Sequence, residues 1–295
     1  MEADIDNIYQ SDFYRILDFK CRCTSCITSE PEYSASFCVS FVRTGNFLFN
    51  VFHHSLDSYN GCILVTKPGF ERTVTHSHAV PDQCTILDFK SEFYEDLMRQ
   101  YPKTLFFKDN DLHSTLVKAN SELDFLHFKL LQGILRKSVS RLESDNLIMD
   151  ILEKVVNAIT GYHPDKKITT RIKRNHLTTI ERAKEYIFEN FSEDISLSQL
   201  AEYCFVSPFH FSRIFKTFTG HAPHQFLLSI RLKNAEMLLL NTALPVADIA
   251  FASGFNSIEH FTAAFHQKYL RPPMRFRNEQ EPTLERRAGF LNSFP

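Results

Sequence analysis

The spacing of hydrophobic positions changes character along this chain. Over residues 13–90, short apolar runs such as Phe37, Val39, Phe41 and Val42, or Ile63, Leu64 and Val65, are rich in aromatic and β-branched residues. Gly45-Asn46, Asn60-Gly61 and Pro68-Gly69 punctuate them, a rhythm of strands and turns that predicts a small β-barrel or sandwich. From Ser91 to Ile159 the spacing is helical, clearest in Leu123, Leu126, Leu130, Leu131 and Ile134 and in Leu147, Ile151, Leu152, Val155, Val156 and Ile159, which predicts two or three amphipathic helices. Residues 161–176 break that pattern with Gly161, Pro164 and a concentration of cations, and read as a linker. Helix starts then follow in quick succession. Thr178 with Glu181, Ser196 with Gln199 and Asn256 with Glu259 each have the spacing of a capping box, and Ser207-Pro208 offers a cap followed by a first-turn proline. The carboxy-terminal third is therefore predicted to be all-helical.

That third repeats itself. A shift of 50 lays Phe205, Ser207, His210, Phe211, Phe215 and Pro223 on Phe255, Ser257, His260, Phe261, Phe265 and Pro273, while a shift of 49 lays Leu200 and Ala201 on Ile249 and Ala250. Each copy reads as a short helix, a turn and a second helix. In the first copy Phe211, Ile214, Phe215 and Phe218 share an apolar face, and His210, Arg213, Lys216 and Thr217 lie opposite. One such helix would be an ordinary amphipathic helix; two in tandem, each presenting short polar groups away from a core, are what reading the major groove requires. Between the copies, residues 223–241 predict an apolar helix about 28 Å long at about 1.5 Å per residue. A strut of that length can hold two reading helices in successive major grooves, which lie about 34 Å apart.

Composition sharpens this picture in four ways. A chain of 295 residues with 43% hydrophobic content holds two domains without help from disulfides or disorder. The net charge of −2 hides an asymmetry, with acids outnumbering bases up to residue 170 and bases outnumbering acids over 171–278, which points to an anionic partner for the second part. The acidic start Met1-Glu2-Ala3-Asp4 is unlike a signal peptide and no stretch of 18 apolar residues occurs, so a cytoplasmic protein without membrane contact is expected. In that reducing compartment the seven cysteines read as free thiols or metal ligands before disulfides.

Ser196, Leu197, Leu200 and Ala201, then Ser207, Phe211, Ser212, Arg213, Phe215 and Lys216, then Gly220, Pro223, Ile249, Ala250, Gly254 and Phe255, and finally Pro273, Met274, Arg275, Phe276 and Arg277 resemble the signature of the AraC/XylS transcription regulators over residues 176–278. The resemblance implies a transcription regulator, usually an activator, with RNA polymerase and double-stranded DNA as partners and an amino-terminal part that senses a signal or dimerises. The amino-terminal half resembles the cupin-type sensor region of such proteins. The expected architecture is α+β: a cupin-like barrel over 13–90 and helices over 91–160 in a sensor and dimerisation domain, a linker over 161–176, a double helix-turn-helix domain over 177–278 and a tail. Carried over position by position, Ser207 at the start of the first recognition helix belongs to the DNA-binding surface, and Phe209, His210, Ser212 and Arg213 face bases from that helix. Ser257, Ile258, Glu259, Thr262 and Ala263 do so from the second, with His266 nearer the backbone. Lys216, Thr217, Lys268 and Arg271 would hold phosphates. Glu259 departs from the cationic or amide residues usual there; it either accepts from a cytosine or is consumed as a helix cap.

Two features of the sensor half bear chemistry. Cys21, Cys23 and Cys26, and His76 and His78 followed by Cys84, are residue types and spacings that suit a borderline metal, although buried thiols and core histidines are the more ordinary account of them. A metal- or redox-responsive regulator is thus the alternative to one controlled by an organic effector. For the latter, Phe37, Phe41, Phe47, Phe49 and Phe52, with His76 and His78, are the expected lining of a pocket. His53, His54 and Glu71 lack the spacing of a catalytic cupin metal site, and the cysteine pattern of zinc-bearing DNA-repair proteins is not present, so neither an enzyme nor a resident cofactor is expected. Leu126, Leu130 and Ile134 are candidates for a homodimer seam, or else pack on the barrel.

Overall fold

The structure, a computed structural model, describes residues 3–22, 28–76, 81–160 and 168–279. Two compact units divide the chain: Met1–Arg182 with Thr217–Gly220, and Ala183–Lys216 with His221–Pro295.

The first unit is built on two antiparallel sheets. One contains β1 (Ala3–Gln10), β2 (Tyr14–Cys21), β4 (Phe37–Thr44), β7 (Cys62–Thr66), β9 (Gln83–Phe89) and β10 (Ser114–Lys118) in the order β1-β2-β9-β4-β7-β10. The other contains β3 (Glu32–Ser34), β5 (Asn46–Val51), β6 (His54–Tyr59) and β8 (Phe70–His76) in the order β3-β8-β5-β6. Their inner faces share a core of Val42, Leu64 and Cys84 from the first sheet with Phe47, Phe49, Val51, Phe70 and Val74 from the second. Among the described residues no hydrogen-bonded strand pair joins the sheets, so the expected barrel is not closed; the arrangement is a pair of facing sheets. Strand β1, at the edge, and β10, inserted among helices, lie outside the segment from which strands were predicted, β1 because it is largely polar with no buried residue and β10 because Leu116 and Val117 are its whole apolar run.

Helices cover the outer face of the larger sheet. After α1 (Ser91–Gln100) and α2 (Leu105–Lys108) come α3 (Ser121–Leu135) and α4 (Arg141–Thr160). The Asn120 side chain starts α3 by accepting from the Glu122 and Leu123 amides. His127 of α3 stacks on Phe41 of β4 at 4.2 Å between ring centroids, and Tyr14 of β2 donates its hydroxyl to Asp145 of α4 at 2.8 Å. Leu126, Leu130 and Ile134 are buried within this unit, so the three proposed seam residues are core rather than surface.

Helix α5 (Thr170–Asn190), whose residues up to Arg182 belong to the first unit and the rest to the second, begins inside the expected linker and runs through Thr178, which therefore starts no helix. The two copies follow: α6 (Leu197–Tyr203) and α7 (Pro208–Thr219), then α8 (Pro223–Asn241), then α9 (Val246–Ala252) and α10 (Ile258–Tyr269), with a final helical turn over 273–279. Ser196 and Gln199 form the capping box that the sequence predicts for α6. The structural repeat is close. Phe215 meets Phe226 at 5.3 Å and 86°, and Phe265 meets Phe276, each 50 residues on, at 5.3 Å and 83°. Helix α8 serves both copies, Phe226 packing with the first and Leu232, Ala235 and Leu239 with the second.

The turns locate the extra residue. Val206 donates to the Ala201 carbonyl and Phe255 to that of Ala250, both at 3.0 Å, so the turns match at a shift of 49 and Phe205 corresponds to Gly254 rather than to Phe255. Asn256 is the residue the second copy adds. Both equivalent positions have positive φ, 57° at Phe205 and 84° at Gly254. A Cβ on Gly254 would stand 2.7 Å from the Phe191 carbonyl oxygen and 2.8 Å from Arg231 Nε, whereas Phe205 is 82% exposed. Gly254→Ala is expected to cost about 1–3 kcal/mol of stability, while Phe205→Gly leaves it within about 1 kcal/mol. Denaturant unfolding of the two variants, followed in the helical unit, checks the contrast.

Candidate functional site

The exposed surface of the repeated unit is built from α7 and α10. Pro208 occupies the first position of α7, and the Phe211 amide donates to the Ser207 carbonyl at 2.9 Å, closing the first helical turn. The helical period then buries Phe211, Ile214, Phe215 and Phe218 and leaves Ser207, Phe209, His210, Arg213, Lys216 and Thr217 exposed, with Ser212 half-buried. Phe209, though 74% exposed, is not loose, for the Arg213 guanidinium lies 5.8 Å from its ring centroid one turn away. The first copy thus presents an aromatic edge flanked by two cations.

The second copy repeats the geometry with different chemistry. Phe261 and Phe265 are buried; Ile258, Glu259, Ala263 and His266 are exposed, and Ser257 and Thr262 half-buried. The cap of α10 is Ser257, whose side chain accepts from the His260 amide at 3.1 Å, so the cap expected at Asn256 moves by one residue and Glu259 is not its capping-box partner. The Ser257 oxygen is accordingly committed to the helix. Lys268 is half-buried, its Nζ 3.5 Å from Ser229 Oγ and 5.3 Å from the Tyr269 ring, and Arg271 pairs with Glu279 at 2.7 Å. The cations expected on phosphates from the second copy therefore already hold protein partners, whereas the exposed face of α10 itself bears the carboxylate of Glu259. Every residue expected on this surface is exposed or half-buried.

In the first unit a cavity of about 290 Å3 lies between the two sheets. Alternation on β2 and β9 points Leu17 and Phe19, and Asp82, Cys84, Ile86 and Asp88, into it; Phe47, Phe49, Leu64 and Val74 complete its apolar wall. Arg72 reaches the rim, paired with Glu32 at 3.1 Å and 5.4 Å from the Phe49 ring. Of the expected lining, Phe47, Phe49 and His76 are present. Phe37 is instead buried among Phe89, Tyr94 and Phe107, and Phe41 stacks on His127, because odd positions of β4 face the helices while Cys38 and Ser40 face the cavity. Phe52 is 70% exposed in a turn of positive φ and does not line this cavity. His78, Cys23 and Cys26 lie outside the described residues. Cys21 and His76 converge, and Cys84 lines the same cavity. Arg72 and Asp82 carry sequence signals only by alternation, Arg72 within β8 and Asp82 one residue before β9.

With this geometry in place, comparison with known proteins is informative for one part of the chain. Residues 200–279 match the family described as a helix-turn-helix domain. The two copies are the two helix-turn-helix units of one DNA-binding type of domain, and the carboxy-terminal domain is of the AraC type. An uncharacterized helix-turn-helix-type transcriptional regulator of Staphylococcus aureus is 28% identical over 192 residues, covering 64% of this chain and 25% of that protein. The bifunctional transcriptional activator/DNA repair enzyme AdaA of Bacillus subtilis is 33% identical over 98 residues, 33% of this chain and 46% of that one. Among solved structures, the carboxy-terminal domain of AraT, a response regulator from Geobacillus stearothermophilus, is 34% identical with a TM-score of 0.34, covering 34% of this chain and 84% of that chain. The chain thus spans a quarter to under half the length of these two relatives. Among the described residues no helix is long and apolar enough to cross a membrane.

Burial has a consequence for pH. It pushes the thiols of Cys38 and Cys62 up from 9.0 to about 11, the loss of hydration being the leading cause at both. A thiol harder to ionise in the folded state favours folding fully below its unfolded value and loses that contribution as pH rises through the folded one. The first unit should therefore weaken between about pH 9 and about pH 11, and Cys62→Ala should make that fall shallower; urea midpoints measured across the range test it.

Proposed function

We propose that this protein is a cytoplasmic, sequence-specific transcription regulator that acts as an activator, binds double-stranded DNA as a homodimer and engages RNA polymerase, with an organic effector in the inter-sheet cavity setting its activity. The observation that carries DNA binding is the repeated pair of buried-face, exposed-face helices α7 and α10 on a shared α8. On α7, Arg213 is the donor for a guanine edge and Phe209 the apolar group for a thymine methyl, while Lys216 and Thr217 meet phosphates. On α10, Ile258, Glu259, Thr262 and Ala263 offer little to guanine, so the first copy supplies most of the discrimination, and the second mainly fixes register once Lys268 and Arg271 exchange their protein partners for phosphates. The cavity supports the effector reading: its volume is at the small end for organic ligands, and an apolar wall with charged pairs at its rim suits a compact molecule with one polar end.

A second reading, control by a metal ion or an oxidant through amino-terminal Cys and His residues, is favoured by the convergence of Cys21 and His76 in the same unit.

Arg213→Ala is expected to lose about 1–3 kcal/mol of specific binding and to relax one base position, whereas Lys216→Ala weakens all sequences alike and lowers the salt slope by about one. Competition binding over a range of salt separates the two; unchanged discrimination in Arg213→Ala contradicts the assignment. Val74→Trp, which fills the cavity, should abolish any effector response of a promoter fusion while leaving effector-free DNA affinity as it was.

A further inference from the structure

At one end of the cavity, donor side chains from both sheets meet. Cys21 closes β2, and its amide donates to the Asp82 carbonyl at 2.9 Å, so the two residues stand opposite one another at the edge of the strand pair. His76 ends β8 in the facing sheet, two and four residues beyond the cavity residues Val74 and Arg72, and alternation therefore points it inward. All three side chains are buried, and one ligand atom from each lies within 4.8 Å of the others.

The spacing suits an ion. Bonds of about 2.3 Å to sulfur and about 2.0–2.1 Å to nitrogen and oxygen, set at tetrahedral angles, separate the donors by roughly 3.3–3.5 Å. Cys21 Sγ is 3.9 Å from His76 Nδ1, and that nitrogen donates to Asp82 Oδ2 at 2.5 Å. One separation is slightly long, the other is short by under an ångström, and Cys21 Sγ stands 3.8 Å from Nε2 as well, so small shifts of the side chains are what coordination asks for, the ion taking the place of the proton between His76 and Asp82. A separate feature shows that the backbone is shaped around this carboxylate. Gly45, at φ +83°, has no side chain where a Cβ would stand 2.2 Å from Asp82 Oδ1.

We propose that Cys21, His76 and Asp82 bind a borderline divalent metal ion such as Zn(II), with the fourth coordination position open towards the inter-sheet cavity. One thiolate, one imidazole and one carboxylate form a mixed soft and hard donor set that suits such an ion better than calcium or magnesium. Three protein ligands leave a position for solvent or for a coordinating atom of a cavity ligand, which ties the ion to whatever occupies the cavity. The proposal rests on the metal-responsive reading and not on DNA binding, and a titration made without DNA keeps the two separate.

The test is titration of the full-length protein with Zn(II) against a chromophoric chelator, alongside the absorption spectrum of its Co(II) form. One equivalent of Zn(II) per chain and a thiolate-to-cobalt charge-transfer band are expected. Cys21→Ser should abolish the band, and Asp82→Asn should weaken Zn(II) at least 10-fold. A Cys23→Ser/Cys26→Ser double variant should keep both ion and band. Absence of the band in the unaltered protein, full Zn(II) affinity in Cys21→Ser, or loss of the ion in the double variant would each overturn the assignment. Should Cys21→Ser fail to fold, the double variant and Asp82→Asn still decide.

Discussion

The edge-to-face contact between Phe215 and Phe226, repeated between Phe265 and Phe276, is the interaction on which the carboxy-terminal half depends. A helix-turn-helix unit of some twenty-odd residues cannot bury a core of its own, and its reading helix is held in place only if the apolar face meets a third element. Each phenylalanine, fully buried, contributes about 1.5–3 kcal/mol through surface removed from water, and an edge-to-face pair adds about 0.5–1.5 kcal/mol. Those terms fix the exposed residues as well, since in a helix the side that is buried decides the side that is presented. Arg213 faces outward because Phe211 and Phe215 face inward.

The same constraint explains α8. One helix supports both copies, so it must be apolar on more than one side, and its buried residues run from Phe226 and Ile230 to Leu232, Ala235 and Leu239. Polar groups admitted to its surroundings are all held: Arg231 donates to the Phe191 and Glu193 carbonyls, Arg277 to those of Leu239 and Leu244, and Asn234 to Ser253. These bonds tie α8 to the loop after α5 and to the turn between α9 and α10, and the final helical turn to the end of α8 and the loop after it, which stiffens the spacing between α7 and α10. The sensor half answers a different constraint. Two sheets that pack face to face without closing leave a seam, and the seam is where the cavity and the Cys21, His76 and Asp82 side chains are found.

Much of the helical half was legible in the sequence because a repeat constrains each position twice. The bounds of α8, the capping box at Ser196 and the buried faces of α7 and α10 follow from period and cap chemistry. The errors there are local. Identity of side chain paired Phe205 with Phe255, although backbone conformation pairs Phe205 with Gly254, and composition alone placed a linker where α5 begins. In the sheet half, strand β4 is buried on both faces, so alternation could not tell which of Phe37 and Cys38 faces the other sheet. Choosing lining residues by aromatic type therefore selected Phe37 and Phe41, which pack beneath helices, and passed over Leu17, Phe19 and Asp82, whose inward side is set by pairing partners far away in the chain.

Two reading helices held by one strut should meet the duplex as a unit, and footprinting of the purified full chain on the DNA upstream of its own and neighbouring genes tests that most directly. Two protected segments one helical turn apart, on one face of the duplex and weakening together as salt rises, are the predicted result. A single protected segment, or two whose separation varies from site to site, would contradict a rigid pairing of α7 with α10.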